Sequence, residues 1–401
     1  MKEQGRSAMK AVKQKMIFFL VLLQCSLWGQ DAAPTTKVYW SRGKFFDRDK
    51  EQISNKTQII KDKTVFFEFN YVSCYGHALL DGLVPLYAML KAENLLDKSV
   101  NIAIRVPTDQ MELPTTRNIL QFVKDVFPFK NIYILNGKKK FYFENIVLDE
   151  YKKNYAGFYK TFPESHNYTK QLKDFGIQEN IVFQDVQVKN NIMKDFVRFV
   201  IDAYKIKADM VQNRVLMVKR RTNRKIANLD EVARHLKSSG YDVKVVDFEA
   251  IPIREQIVQT MQAQYLVGTY GSNLTNAIFL HPEANAVVLW HKHAKYFWSR
   301  KYCIIHSAFL ATGVKLVEFD KPDYDTRDVY TSEINDPNFF YREGSQIFLK
   351  PEKSSLEEML TYPLPAMYEL LCVDLYIQPG ELSQLLEKSK SLNNESCKIV
   401  R

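Results

Sequence analysis

Hydrophobic and polar positions alternate along two stretches of the chain in a way that predicts strands followed by helices. Short apolar runs are typical of buried strands, and longer segments with apolar residues every three or four positions are typical of helices. The first stretch predicts strands at Thr64–Asn70, Val100–Val106, Ile132–Leu135 and Phe141–Leu148, and helices at Gly76–Leu96 and Thr115–Val126. Such alternation favours an α/β fold with a parallel sheet.

The second stretch is more regular, and its pattern is Rossmann-like. It follows a predicted helix at Asn191–Ile206. Its predicted strands are Val215–Val218, Val243–Phe248, Tyr265–Val267, Ala286–Trp290 and Val314–Phe319, and its predicted helices are Leu229–Ser239, Ile253–Gln264, Leu274–Leu280 and Tyr302–Ala311. We interpret Asp149–Asn190 as a lid or connecting loop, Asp320–Lys350 as turn-rich, and Ser354–Asn393 as a helical tail broken by prolines.

The length of 401 residues suits two domains rather than one small core. We expect a targeting segment at 1–30, an N-terminal α/β domain at 31–206, a Rossmann-like domain at 207–330, and a helical tail at 331–401 that packs back on both. Two α/β halves facing a cleft place a ligand at the carboxyl ends of their strands.

The N-terminus has the features of a signal sequence. A basic segment precedes an apolar run, Met16–Trp28, of about 13 residues, shorter than the ~20 residues that span a bilayer. We favour a cleaved signal, with a short membrane anchor as the alternative. Either places the rest of the chain in the secretory lumen, where disulfides are permitted. Beyond Cys25, the cysteines at 74, 303, 372 and 397 allow three pairings.

The net charge of +10 is partly concentrated before this apolar run. The moderate basic excess of the remaining chain suits an anionic small ligand, an acidic glycan or a membrane surface. Nucleic acid is a poor match, because no zinc-finger spacing or basic-aromatic signature is present. The pairs Asp47–Asp49 and Asp323–Asp325 lie in turn-like contexts, and two oxygens do not make a hard-cation site; we therefore predict no metal site.

The segment Tyr265–Leu280 reads as a strand, a small-residue turn and the start of a helix. Gly271 permits close backbone approach, and Ser272 or Asn273 is placed to cap the helix. Backbone N–H groups at such a helix start can hold an anion. The alternative is an ordinary strand-to-helix turn of an α/β sheet.

Two further clusters carry candidate chemistry. His77 and Asp81 are four residues apart on a predicted helix and share one face, as an acid/base pair requires, although surface pairs also have this spacing. A basic segment, Lys219–Lys225, begins where a predicted strand ends. Its arginines can clamp a diphosphate in bidentate fashion and neutralise it without a metal; the alternative is a solvated loop.

These clusters, in this order, resemble glycosyltransferase family 61. Tyr75-Gly-His77-x-x-x-Asp81 is similar to the family's Gly-His-x-x-x-Asp helix, and Val218-Lys-Arg220-Arg-Thr-Asn-Arg224 to its Ser-Arg-x-x-x-Arg strand end. Gly268-x-Tyr270-Gly271-Ser272-Asn273-Leu274-Thr275-Asn276 is similar to its Gly-x-His-Gly-Ala-x-Leu-Thr-Asn turn, and Phe279-Leu280-x-Pro282 to the motif that follows. The resemblance covers roughly Val65–Phe319.

The resemblance implies a GT-B-like architecture and inverting transfer of N-acetylglucosamine or xylose from a UDP-sugar to a protein-linked hydroxyl or glycan. It also implies work in the endoplasmic reticulum or Golgi, or secretion, with no cofactor besides the donor. Arg220 and Arg224 would bind the diphosphate, and Tyr270 and the turn residues would hold the leaving UDP. These turn residues are Gly271, Ser272, Asn273, Leu274 and Thr275. His77 or Asp81 would take the acceptor's proton.

The chain departs from the family pattern at two positions. Tyr270 stands where the family usually has His, and Leu289 stands where it usually has Glu after a Val-Val pair. Tyr donates a hydrogen bond but carries no positive charge near neutral pH, and Leu cannot hold a ribose hydroxyl. A catalytically inactive lumenal relative that binds glycans or a partner protein is therefore the second hypothesis.

Overall fold

The computed structural model describes residues 36–41, 44–46, 56–69, 72, 74–96, 99–136, 139–147, 186–222, 224–290, 312–319, 340–343, 346–349 and 374–391. The predicted signal segment, the Tyr302–Ala311 helix, most of Asp149–Asn190, the Asp-x-Asp pairs and every cysteine except Cys74 lie outside these residues. Cys74 carries a free thiol. Among the described helices, none combines the length and the apolar character that crossing a bilayer requires.

The first sheet contains seven strands within the described residues, in the order β2-β1-β7-β4-β5-β6, with β3 also paired to β7. The strands are β1 (Thr36–Ser41), β2 (Lys44–Phe46), β3 (Gln58–Ile60), β4 (Thr64–Glu68), β5 (Asn101–Arg105), β6 (Ile132–Leu135) and β7 (Phe141–Val147). The centre, β7-β4-β5-β6, is parallel, and β1 is antiparallel to both of its neighbours. The first three strands lie before Thr64, where the first strand predicted from the sequence begins.

Three helices accompany this sheet. The first, α1, comprises an α-helical turn Tyr75–His77, a π-helical segment Ala78–Leu83 and an α-helical segment Val84–Ala92; α2 is Pro114–Val126 and α3 is Val186–Ala203. Pro85 is the second residue of the last segment of α1, directly after the π-helical segment. α3 packs on α1 through Tyr87, whose ring centroid is 5.7 Å from that of Phe196. α3 begins at Val186, so part of the predicted lid is helical.

The second sheet is parallel throughout its five described strands, in the order β12-β11-β10-β8-β9. These are β8 (Arg214–Val218), β9 (Asp242–Val246), β10 (Tyr265–Thr269), β11 (Asn285–Leu289) and β12 (Lys315–Phe319); the helices are α4 (Leu229–Ser238), α5 (Ile253–Gln262) and α6 (Pro379–Ser391). A separate hairpin joins β13 (Phe340–Glu343) to β14 (Gln346–Leu349), in a region predicted as turns. Short 3₁₀ helices occur at Thr108–Gln110, Phe248–Ala250 and Ser272–Phe279.

One apolar core joins the two sheets. It contains residues from α1, α2 and α3 together with alternate residues of the second sheet, such as Leu216, Leu266 and Val288. The intervening residues, including Val267 and Val287, face a second cluster against α4 and α6. Successive residues of a strand point to opposite faces; a parallel sheet covered on both faces therefore reads as continuous apolar runs.

Candidate functional site

The strand order of the second sheet locates a crevice. Counted along the chain, its strands lie in the order 2-1-3-4-5, so the direction of winding reverses between β8 and β10. In open α/β sheets, ligands bind outside the carboxyl ends of the strands at such a point. Because β8 and β10 pair in parallel, with Met217 beside Val267, the basic loop after β8 and the turn after β10 meet there.

The turn after β10 depends on Gly271. Its φ of 156° and ψ of −179° lie in a region that only glycine adopts readily. A Cβ at this position would stand 2.5 Å from Nη1 of Arg220 and 3.3 Å from Nη1 of Arg224. The structure thus brings together the two predicted arginines and the predicted turn, with both guanidinium groups against the glycine backbone.

The helix after this turn is a 3₁₀ helix, not the predicted α-helix, and Gly271 is its N-cap residue. No side chain accepts a hydrogen bond at this cap, so the predicted capping by Ser272 or Asn273 is wrong. Ser272 Oγ instead lies 3.0 Å from Cys74 Sγ. Asn273 is buried, and its Nδ2 has no hydrogen-bond partner among the described residues.

Arg224 is fixed over the turn by its own backbone and side chain. It adopts a left-handed conformation (φ 54°), and Thr269 Oγ1 donates to its carbonyl oxygen at 2.5 Å. Its Nη1 donates to the carbonyl of Tyr270 at 3.2 Å, while Nε is buried with no hydrogen-bond partner among the described residues. Arg221 is directed elsewhere, since its Nε lies 2.6 Å from Asp247 Oδ2.

The loop that carries the arginines is tied to the segment before α6. Lys225 N donates to the buried Asp374 carboxylate at 2.8 Å, and Lys225 Nζ lies 3.1 Å from the same carboxylate. Leu375 N donates to the Lys225 carbonyl, and Ala227 N donates to the Leu375 carbonyl, each at 2.7 Å. The sequence offered no signal for this anchor, because its two parts are about 150 residues apart.

The start of α1 lies directly against the turn. A Cβ on Gly76 would stand 2.9 Å from Thr275 Oγ1 and 3.2 Å from Ser272 Cα. Tyr75 donates from its hydroxyl to Asn276 Oδ1 at 2.7 Å, and burial raises the pKa of Tyr75 above its ordinary value, which keeps the hydroxyl protonated. All three predicted clusters therefore converge at one place between the two sheets.

A chain of hydrogen bonds continues from Asn276 into the second half. Asn276 Nδ2 donates to Gln256 Oε1 at 3.0 Å, and Gln256 Nε2 donates to the carbonyls of Phe248 at 2.7 Å and Ile251 at 3.0 Å. Tyr75 and Asn276 belong to the motifs quoted above but had not been assigned a role. Nothing in the sequence indicated a role for Gln256, because a glutamine in a helix is usually exposed and nothing in the pattern marks this one as buried.

His77 ends the α-helical turn that begins α1, and it is half-buried. Asp81 follows in the π-helical segment, where hydrogen bonds run from residue i to i+5 rather than the i+4 pattern we expected. The Asp81 side chain lies outside the described residues, and the His77–Asp81 pair stays a prediction. Such π segments often occur at functional sites.

The remaining predicted turn residues support the backbone. Leu274 and Thr275 are fully buried, and Thr275 Oγ1 donates to the Ser272 carbonyl. Tyr270 stacks on Trp290 with ring centroids 4.6 Å apart and planes 15° from parallel. Leu289 is also fully buried, in the apolar cluster on the opposite face of the sheet.

No set of three potential metal-ligating side chains converges within the described residues.

A cavity of about 140 Å³ adjoins the turn. Its wall combines both halves of the molecule, from the starts of α1 and α2 to the loop after β9 and α5. The lining residues are Tyr75, Pro114, Thr115, Asn118, Arg221, Phe248, Glu249, Ile253, Gln256 and Asn273. The wall thus mixes apolar rings with amide, hydroxyl and charged groups.

Comparison with known proteins agrees with this geometry. The glycosyltransferase 61 family model matches residues 75–288, just over half of the chain. Two similar proteins come from rice (Oryza sativa subsp. japonica). The β-1,2-xylosyltransferase XAX1 is 33% identical over 109 residues, which are 25% of this chain and 19% of that protein. The β-1,2-xylosyltransferase XYXT1 is 32% identical over 111 residues, which are 25% of this chain and 23% of that protein.

The matched region thus covers about a fifth of the length of each rice relative. The family-model match, which is longer, begins at Tyr75, which starts α1, and ends within β11. It therefore contains α1, the basic loop and the turn, which are the three clusters that the fold brings together. The chain belongs to glycosyltransferase family 61.

Proposed function

We propose that this glycosyltransferase transfers N-acetylglucosamine or xylose from a UDP-sugar to a protein-linked hydroxyl or glycan, with inversion at the anomeric carbon. A GT-B-like arrangement would bind the donor in the second half of the molecule and the acceptor in the first. Two sheets with parallel strands, and a cavity lined by residues of both halves, support this arrangement. The secretory lumen is the proposed setting, on the strength of the N-terminal sequence.

The observation that carries this proposal is the contact of Arg220 and Arg224 with the Gly271 turn. Two guanidinium groups beside a helix start with no side-chain cap place fixed positive charge where a diphosphate would bind. As the glycosidic bond breaks, the UDP phosphate gains negative charge. Preorganised donors that meet this charge lower the barrier, and they do so without a metal ion, which is also part of the proposal.

The acceptor side is assigned to the start of α1. In the proposed step an acceptor hydroxyl attacks the anomeric carbon, its proton passes to His77 or Asp81, and the bond to UDP breaks on the opposite face. We prefer Asp81 orienting His77 as the base. The contact of Gly76 with Thr275 and Ser272 supports this assignment, because it holds the His77 turn beside the proposed phosphate site.

One observation favours a second function. Tyr270 is stacked on Trp290, and Leu289 is fully buried on the other face of its sheet. Neither residue supplies the charged group that the family usually has at its position. The second candidate is therefore a catalytically inactive lumenal protein that uses the same cleft to bind a glycan or a partner protein.

The purified lumenal portion, incubated with UDP-GlcNAc or UDP-xylose and a glycoprotein acceptor pool, distinguishes these functions. Transfer predicts released UDP and a matching mass increase of the acceptor. Arg220→Ala and Arg224→Ala should each weaken UDP binding about tenfold to a hundredfold, whereas Arg234→Ala on the exposed face of α4 should leave it unchanged. His77→Ala should abolish turnover and spare UDP binding.

The second candidate gives the opposite pattern in the same experiments. No nucleotide would raise the melting temperature, and no UDP would be released. The melting temperature of each variant without ligand serves as the folding control, because a loss of binding counts only when the fold is retained.

A further inference from the structure

The cavity beside the Gly271 turn has the size of a single ring. An apolar cavity of about 150 Å³ holds one benzene molecule, and this cavity measures about 140 Å³. Whole drug-sized ligands fill pockets of roughly 300 Å³ or more. The cavity therefore accommodates one six-membered ring next to the proposed diphosphate site, rather than a complete nucleotide-sugar.

The polar groups in the wall are mixed in sign and in hydrogen-bonding character. Arg221 is the lining cation, and Asp247 already neutralises it at 2.6 Å; Glu249 brings a carboxylate. Thr115 and Asn118 add a hydroxyl and an amide from the first turns of α2. A phosphate presents acceptors alone, whereas the hydroxyls of a sugar both donate and accept, so this wall matches a neutral sugar better than a second anion.

Asn273 points to a missing hydrogen-bond partner. The residue is only 7% exposed and lines the cavity, yet its Nδ2 has no hydrogen-bond partner among the described residues. Leaving a buried donor unsatisfied costs about 1–3 kcal/mol. The oxygen of a ring hydroxyl or of an acetamido group in the cavity would satisfy this donor once the amide rotates toward it.

The rest of the wall is held in place in advance. Tyr75 and Gln256 both line the cavity, and Asn276 joins them through hydrogen bonds of 2.7 and 3.0 Å. Phe248 and Tyr75 offer aromatic surface, and Gln256 Nε2 donates to the Phe248 carbonyl. A wall fixed in this way binds a ring with little further loss of conformational entropy.

We propose that this cavity is a monosaccharide subsite in which Asn273 donates to, and Glu249 accepts from, polar substituents of one sugar ring. The proposal rests on the proposed function, since that function supplies two sources for the ring. One source is the sugar of the donor, and the other is the sugar of the acceptor that receives it.

The test measures the affinity of Asn273→Ala and Glu249→Gln variants for UDP, UDP-GlcNAc and UDP-xylose by calorimetry, together with the acceptor KM. Glu283→Gln, at an exposed position before β11, is the matched control. We expect UDP affinity to stay within about twofold of wild type. A donor subsite shows about tenfold weaker UDP-sugar binding, and an acceptor subsite shows a similar rise in acceptor KM alone.

Two results overturn the proposal. If the variants lose as much affinity for UDP as for the UDP-sugar, the cavity holds the pyrimidine ring. If every affinity and KM stays unchanged in variants with wild-type melting temperatures, no ring occupies the cavity.

Failure of the proposed function looks different, because the wild-type protein itself would then bind neither UDP nor a UDP-sugar. In that case, titration with methyl xyloside and methyl N-acetylglucosaminide tests the cavity directly. Binding that is lost in Asn273→Ala supports the subsite, and no binding to the wild type overturns it.

Discussion

The two faces of the five-stranded sheet are both buried but differ in kind. The face toward the first half carries buried polar groups near the carboxyl ends of its strands, namely Asn273, Asn276 and Gln256. The opposite face packs against α4 and α6 through an apolar cluster. One polar contact on this side, from the Tyr241 hydroxyl to Glu387, reaches the surface.

This difference in buried polar groups distinguishes a face that can bind a ligand from a face that only packs against helices. Buried polar groups lower stability unless each finds a partner. A fold that needed only to pack its sheet would repeat the apolar arrangement seen against α4 and α6. The site face instead keeps a bonded chain of amides and leaves Asn273 Nδ2 and Arg224 Nε without hydrogen-bond partners among the described residues, as a surface that binds a polar ligand does.

The largest effect is expected from Gly271→Ala on the site face. The new Cβ would stand 2.5 Å from Arg220 Nη1, and the backbone conformation costs a non-glycine residue about 1–3 kcal/mol. Displacing both guanidinium groups should weaken UDP binding about a hundredfold or more, as measured by calorimetry. Gly380→Ala, where an added Cβ meets nothing within 4 Å, is the control. Unchanged UDP affinity in Gly271→Ala would place the diphosphate elsewhere.

An intermediate effect is expected from breaking the amide chain. Asn276→Ala leaves the Tyr75 hydroxyl and Gln256 Oε1 without their present partners, so the free energy of unfolding should fall by about 1–3 kcal/mol. Because Asn276 is a positioning residue, Asn276→Ala should lower kcat about tenfold and should change the affinity for UDP little. Chemical denaturation and initial rates measure the two effects.

Tyr75→Phe supplies the matching half of a double-mutant cycle. Because Tyr75 and Asn276 share a hydrogen bond, the two substitutions should be non-additive in unfolding free energy. Additive losses would show that the hydrogen bond does not couple the two halves. Tyr133→Phe on β6 provides the control for loss of a tyrosine hydroxyl.

The smallest effect is expected on the opposite face. Hydrogen bonds from Lys390 and then from Tyr241 lower the pKa of Glu387. The Glu387 side chain is exposed and that of Lys390 is partly exposed, so Glu387→Gln should cost at most about 1 kcal/mol at pH 7. Because the folded-state pKa is lowered, this contribution is present above pH 4.5 and is lost as pH falls through the folded pKa. Thermal melts from pH 7 to 3 check it, and UDP binding should not change.

The sequence predicted most of the central elements because their signal is local. Apolar runs such as Val215–Val218 and Tyr265–Val267 are confirmed as parallel strands, since strands buried on both faces have no polar positions to blur the pattern. β1, β2 and β3 were missed, because at least Gln58 and Ile59 are exposed in an edge position and the flanking residues are polar. The predicted caps at Ser272 and Asn273 were wrong, because the N-cap position falls on Gly271, which has no side chain, and Ser272 Oγ lies against Cys74 Sγ instead.

The site was predicted in parts. The arginines, the turn and the His77 helix each had a motif, and the structure brings them together around Gly271 and Gly76. No motif indicated that Asp374 would anchor the basic loop or that Gln256 would complete the amide chain. The Asp374 anchor and the amide chain both depend on residues from distant parts of the chain. Asp and Gln are also residue types that are usually exposed to solvent, so their presence in the sequence gives no signal of a buried role.

By itself, the sequence determined the α/β class, the order of the central strands and helices, the position that needs glycine, and the family. Hydrophobic periodicity and short motifs record these properties within a few neighbouring residues. The tertiary structure alone decided that two arginines close on Gly271, that a ring-sized cavity opens between the halves, and that Leu289 faces the packing side. Strand order, sheet face and long-range hydrogen bonds set these features, because they arise only when segments far apart in sequence come into contact.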